Sequence, residues 1–167
     1  ATPTLTPSSN SYSTVSLAGR GCAITTAGQL NCWGFGWSGD GSNSITPRYY
    51  PVVVDYTNAY SKVGVGVYHT CAIQTNGVLK CWGENSSFQL GTSAIGSSTV
   101  PTVVDSGTLY SDIASGTEFS CGITTAGVQK CWGRLPYFSW VSTPTVWDSG
   151  TLYSKISANG NLVCGLT

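Results

Sequence analysis

CAITTAGQLNCWG, residues Cys22–Gly34, is written again as CAIQTNGVLKCWG at Cys71–Gly83 and as CGITTAGVQKCWG at Cys121–Gly133. A fourth copy starts at Cys164 and runs to Thr167. Each complete copy sets two cysteines ten positions apart, with a glycine just past the midpoint. If Cys22 and Cys32 face each other, Thr26-Ala27-Gly28 becomes the three-residue loop of a β-hairpin, with Gly28 in the left-handed position such a loop requires. Thr75-Asn76-Gly77 and Thr125-Ala126-Gly127 meet the same demand. Counting by two from the cysteines sets Ile24 opposite Leu30 and Ile73 opposite Leu79, so one face carries both the cysteines and an apolar pair; in the third copy Gln129 replaces the leucine. The spacing therefore predicts cross-strand disulfides Cys22–Cys32, Cys71–Cys81 and Cys121–Cys131, each adding about 2 to 3 kcal/mol. Cys164 has no such partner in this sequence.

The periodicity extends beyond the hairpin. A proline opens a short apolar strand at Pro3, Pro51, Pro101 and Pro144, and nine residues later each copy reaches Tyr-Ser, at Tyr12, Tyr60, Tyr110 and Tyr153. An alternating stretch broken by glycine then leads to the first cysteine. The N-terminal segment, although rich in Pro, Ser and Thr, keeps this register and reads as the first strand of the array. About four short strands in each unit of 43 to 50 residues, with Trp-Gly marks and glycine-rich turns, predict an all-β chain. The expected architecture is a partial β-propeller of repeated four-stranded antiparallel blades, three to four in number, with units at about 3–50, 51–100, 101–143 and an incomplete 144–167.

Composition removes several function classes. Only 8% of the 167 residues are charged, seven basic against seven acidic, so the basic stripe needed for nucleic acid is missing. Seven cysteines in repeated pairs and one N-glycosylation sequon, Asn85-Ser86-Ser87, point to an oxidising, extracellular or cell-surface setting with Asn85 as a candidate sugar site. There is no Met and no apolar run of the ~20 residues a membrane helix needs, so the chain reads as a processed or excised segment without membrane insertion. Cysteine pairs this far apart and a single histidine do not suit zinc, and no cofactor is expected.

The pattern CAIxxxGxLxCWG, followed by GENSSFQLG and then Pro-x-Val, resembles the repeat of the regulator of chromosome condensation family. That resemblance covers the whole chain and implies a β-propeller of the seven-bladed kind. The second repeat fits best; after Trp-Gly the first replaces Gln89-Leu90-Gly91 by Gly-Asp-Gly at 39–41, and the third has no clear counterpart. The cysteine-stapled form is similar to the family's secreted and cell-surface branch. Nuclear members exchange nucleotide on a small GTPase and bind chromatin, which neutral charge and cysteine staples argue against. Three and a half repeats cannot close a seven-bladed ring. The expectation is a segment of a longer chain, or an assembly in which copies supply the missing blades and, if the ring does not close, form a fibre.

No catalytic constellation is visible. His69 is the only imidazole and reads as a packed or surface residue; Asp55, Asp105 and Asp148 share one repeat position and read as turn formers. Asp40-Gly41-Ser42-Asn43-Ser44 lacks the acidic spacing and distal glutamate of a calcium loop and reads as a turn. Trp33, Trp82 and Trp132 recur and are expected between blades. Trp37, Tyr49, Tyr50, Tyr137, Phe138 and Trp140 lie in the variable regions without repeat counterparts and form the candidate binding loops. The chain is thus read as a non-catalytic extracellular module for a protein or carbohydrate partner, or as the protomer of a glycosylated filament built from copies of itself.

Overall fold

A computed structural model describes residues 11–42, 46–135 and 140–167. The first sheet holds β1 (Tyr12–Leu17), β2 (Arg20–Thr25), β3 (Leu30–Gly34) and β4 (Arg48–Val53) in that order. The second holds β5 (Tyr60–Val65), β6 (His69–Gln74), β7 (Leu79–Gly83) and β8 (Ser98–Val103). The third holds β9 (Tyr110–Ser115), β10 (Phe119–Thr124), β11 (Gln129–Arg134) and β12 (Trp140–Asp148), and a final pair is β13 (Lys155–Asn159) with β14 (Leu162–Leu166). All pairings are antiparallel meanders, the topology that short hairpin connections permit. These are propeller blades. The first strands β1, β5, β9 and β13 touch in succession and form the inner side of the array.

The hairpin register is the one the cysteine spacing requires. Cys22 pairs with Cys32, Cys71 with Cys81 and Cys121 with Cys131, and Ile24↔Leu30, Ile73↔Leu79 and Ile123↔Gln129 follow two positions on. Each cysteine pair has its Cα atoms 4.1 Å apart, the close approach of a non-hydrogen-bonded pair, and each forms a disulfide. Gly28, Gly77 and Gly127 take φ of +83°, +87° and +81°, so the loop glycine is required there.

The prolines do not open their strands. Pro51, Pro101 and Pro144 lie within β4, β8 and β12, each inside the stretch where the register with the Cys-Trp-Gly strand shifts. A residue with no N–H to donate is tolerated at a bulge on an outermost strand, and that is where these sit. The proline strand is also the last strand of the sheet before it, so each sheet borrows one strand from the next sequence unit. Pro3 lies outside the described residues.

The sheets stack face to face. The cysteine side of the first, with Ile24, Leu30 and Val54, packs on Tyr60, Val63, Val65 and Trp82 of the second. The second repeats this arrangement against Tyr110, Ile113 and Trp132 of the third. In the last junction Phe119, Cys121, Cys131 and Leu135 meet Ile156, Ala158 and Val163.

Candidate functional site

Each junction is crossed by a covalent linker that carries the repeated aspartate. The hydroxyls of Tyr60, Tyr110 and Tyr153 donate to Asp55, Asp105 and Asp148 at 2.9, 2.6 and 2.9 Å. Asp55 also accepts the Thr57 and Asn58 N–H groups, and Asp148 that of Gly150, so these are turn-forming carboxylates as the repeat position suggests. Lys80 and Lys130 close on Asp55 and Asp105 at 3.5 and 2.7 Å. Burial pushes the Asp55 carboxyl up, but hydrogen bonds from Thr57, Asn58 and Tyr60 outweigh it and hold the group far below the ordinary carboxylate range. Burial and the neighbouring carboxylates push the Tyr60 and Tyr110 phenols well up.

The other acids are similarly engaged. Asp40 accepts from the Ser42 N–H and hydroxyl and from Arg48 at 2.7 Å, which makes it a structural turn and not a cation loop; Asn43 and Ser44 lie outside the described residues. Asp112 accepts the Ile156 N–H, Glu118 meets Arg134 at 2.9 Å, and Glu84 accepts from Ser86. Among the described residues no group of three or more His, Cys, Asp or Glu is placed to hold a metal ion.

His69 is fully buried, with Nε2 2.7 Å from Ser120 Oγ in the next sheet. Ser120 Oγ donates to the Gln89 carbonyl, so the proton between them belongs to His69 Nε2. The same carbonyl accepts the Trp132 indole N–H at 2.9 Å. Burial, with the nearby Arg20 charge, drives the imidazole pKa down to about 3. A neutral, sealed histidine whose serine has already committed its hydrogen is a fastener between sheets, and it activates no nucleophile. At the preceding junction Arg20 donates to the Trp37 carbonyl, and the counterparts of Ser120 and Trp132, which are Thr70 and Trp82, have no partner for Oγ1 and Nε1 among the described residues. A polar residue at the first position of the cysteine strand, where Phe119 and Leu162 stand in other copies, is the sequence signal for this network.

Gly91 approaches Trp132 and Gly39 approaches Trp82, both with positive φ. Trp37-Ser38-Gly39 is therefore the counterpart of Gln89-Leu90-Gly91, two positions earlier than Gly-Asp-Gly at 39–41. Trp82 and Trp132 are buried between sheets, whereas Trp33 is half-buried.

The candidate binding aromatics do not form one cluster. Tyr49 and Tyr50 are exposed, but on strand β4 and not in a loop. Trp140 opens β12, is exposed and makes an edge contact with Phe88 at 6.0 Å. Trp37 is half-buried, and Tyr137 and Phe138 lie outside the described residues. Tyr49 and Tyr50 lie in the stretch where β4 shifts register against β3, on the outermost strand of the first sheet. Asn85 requires a correction as a sugar site. It is 1% exposed, its Nδ2 donates to Thr92 Oγ1 and the Ala94 carbonyl, and its Oδ1 accepts the Leu90 N–H. The nitrogen that would carry the sugar is buried and donates two hydrogen bonds inside its own loop.

A cavity of about 300 Å³ opens at one end of the inner strands, bordered by Leu17, Val65, Ser115, Ser157 and Asn159. Its wall is largely backbone and small side chains. Among the described residues no helix is long and apolar enough to cross a membrane.

Residues 60–89 match the family described as the regulator of chromosome condensation (RCC1) repeat. No curated protein matches the sequence. The chain superposes on human WBSCR16 with a TM-score of 0.83 at 14% identity, covering 98% of this chain and 46% of that one. It superposes on Prp20p from Saccharomyces cerevisiae, a structure described with binding to Gsp1p and histones, with a TM-score of 0.78 at 16% identity, covering 93% and 44%. The ectodomain of the receptor kinase CR4 from Physcomitrella patens matches with a TM-score of 0.58 at 24% identity, covering 88% and 36%. The chain spans less than half the length of each of these three. The fold they share with it is the RCC1-like β-propeller, of which this chain forms a part.

Proposed function

We propose that this run of RCC1-type repeats is a non-catalytic binding module of an extracellular or cell-surface protein, with a protein or glycan as its partner. The observation that carries the reading is the set of exposed aromatics, Tyr49, Tyr50 and Trp140, on outermost strands of sheets whose interiors are fully packed. Large rings held on rigid strands offer contact area at little entropic cost. The three buried disulfides support an oxidising setting. Each Asp and Glu side chain and the one imidazole makes a hydrogen bond or ion pair within the chain, which supports binding over catalysis. Nucleotide exchange or chromatin binding is the weaker reading: seven basic against seven acidic residues give no net positive charge for a polyanion such as chromatin, and three disulfides suit an oxidising setting better than a nuclear one. The test is a screen of the purified chain against arrayed glycans and extracellular proteins, repeated with Tyr49→Ala/Tyr50→Ala and Trp140→Ala. A hit that either variant loses, with melting unchanged, supports the module; a hit that both retain removes these rings from the site.

A second reading is the protomer of an extracellular assembly built from copies of the chain. Its support is the array itself, in which successive sheets stack on one another by a single repeated plan. The burial of Asn85 removes the N-linked sugar from that picture. Electron microscopy of native material tests it: filaments or closed particles of repeated subunits support it, and isolated single particles do not.

A further inference from the structure

Where the hairpin loops meet the linkers, two junctions carry an apolar pair that the first lacks. In the second junction Val78 and Leu109 form a bridge, and a methyl group on Gly77 would lie 3.1 Å from Leu109 Cβ and 3.5 Å from its Cδ2. In the third, Val128 and Leu152 stand at the same places, and a methyl group on Gly127 would lie 3.3 and 3.5 Å from Leu152 Cβ and Cδ2. The first junction has Gln29 and Ala59 there instead, and above Gly28 the side chain stops at Ala59 Cβ, 2.9 Å from such a methyl. The same linker has Tyr56 where the others have Ser106 and Ser149, and Asn58 where they have Thr108 and Thr151. All four departures line one cavity of about 310 Å³. That is the lower end of the roughly 300–1,000 Å³ of small-molecule clefts.

We infer that this cavity takes a single uncharged sugar unit, with Tyr56 as its stacking platform. This rests on the glycan form of the binding-module reading above and gives it a site apart from Tyr49, Tyr50 and Trp140. Tyr56 is 83% exposed, so its ring is open to the C–H face of a sugar. Asn58 Nδ2 donates to Asp55 Oδ2 at 2.9 Å and to Thr57 Oγ1 at 2.8 Å, which fixes the amide and leaves Oδ1 to accept from a hydroxyl. Gln29 adds an amide that can both donate and accept. Among the described lining residues Asp55 alone is charged. Its oxygens accept from Thr57, Asn58 and Tyr60, and it pairs with Lys80 at 3.5 Å, so nothing here calls for an ionic ligand. A ring with one apolar face and several hydroxyls uses the whole of this set.

The test titrates the chain with the methyl glycosides of glucose, galactose, mannose and N-acetylglucosamine, and with short oligosaccharides ending in each, following backbone amide shifts by NMR. Saturable shifts at Gln29, Asn58 and Ala59 are expected with at least one of them. Tyr56→Ser and Gln29→Val/Ala59→Leu write residues of the other junctions into the first, so both variants should fold with melting close to the parent's. Each is expected to weaken that binding by about tenfold or more. An oligosaccharide that binds more tightly than its methyl glycoside identifies the end of a longer glycan as the source, and comparable affinity identifies the free sugar. No saturable shift with any probe overturns the site, as does binding that Gln29→Val/Ala59→Leu leaves intact. In either case a glycan or protein hit that Tyr49→Ala/Tyr50→Ala or Trp140→Ala abolishes keeps the module reading, so the two failures are told apart.

Discussion

The hydroxyl of Tyr60 donates to Asp55 at 2.9 Å, joining the residue that follows the outermost strand of the first sheet to the innermost strand of the second. The contact recurs at Tyr110–Asp105, where the tyrosine is again fully buried, and at Tyr153–Asp148, where both residues are only half-buried. Tyr60→Phe and Tyr110→Phe each remove a hydrogen bond to a charged acceptor and should cost about 1.5–3 kcal/mol, lowering the melting temperature by roughly 5–10 °C. Tyr153→Phe should lower melting less than either, because Tyr153 is half-buried where Tyr60 and Tyr110 are sealed, and water can reach the freed carboxylate. Calorimetry of the three variants checks the order.

Acid should loosen the molecule before its carboxylates titrate. The folded pKa of His69 is about 3, against an ordinary 6.5. Below pH 6.5 the unfolded chain gains a proton that the folded chain refuses, so the stability held at neutral pH falls as pH drops towards 3. The slope contributed by this one group is about 1.4 kcal/mol per pH unit. Asp40, Asp55 and Asp105 have folded pKa values below 3.8, so their contributions are lost only at lower pH. His69→Phe, which copies the residue at the same place in the third sheet, should flatten the limb between pH 6.5 and 4 in urea titrations.

Loss of one staple should be costly but survivable. Cys71→Ala/Cys81→Ala releases a ten-residue separation at a site with both cysteines fully buried, and should cost about 3 kcal/mol. Denaturation with and without reductant checks this, and the reductant effect should shrink in the variant.

Gly91 has φ of +74°, and a methyl group there would lie 2.8 Å from Val104 Cγ1 and 2.9 Å from Trp132 Nε1. Gly91→Ala should therefore cost upwards of about 2 kcal/mol through backbone strain and a displaced tryptophan. Gly150→Ala, with only Asp148 Oδ1 at 3.6 Å, should be close to neutral. Tryptophan fluorescence and melting of both variants check the contrast.

Enzymatic removal of N-linked sugar should leave the mass of the native chain unchanged, because Asn85 is folded away. Asn85→Ala should instead destabilise the 84–94 loop by leaving the Leu90 N–H without its acceptor.

The hairpins were legible because cysteine spacing, a loop glycine and a period of two all constrain the same register. Pro51, Pro101 and Pro144 misled for a physical reason. A residue without an N–H reads as a strand start, yet a bulge on an outermost strand accommodates it equally well. The sequon at Asn85 misled because three residues specify the chemistry of modification and carry no information about burial. The His69–Ser120–Gln89 network needs the angle between two sheets, which no local pattern contains. Tyr49 and Tyr50 were legible as unusual residues but not as strand residues, since β4 forms only by pairing with β3.

The junction residues also record who may sit beside whom. His69 faces the hydroxyl of Ser120, whereas Phe119 packs in the apolar cluster that Val163 joins. Were the last pair of strands to follow the second sheet directly, Val163 would meet the imidazole and strip it of its acceptor. Were the third sheet to follow itself, the Ser120 hydroxyl would be buried against a phenyl ring. The order of the repeats is thus written pairwise at their borders, and a shuffled or concatenated array would have to rewrite both members of each pair together.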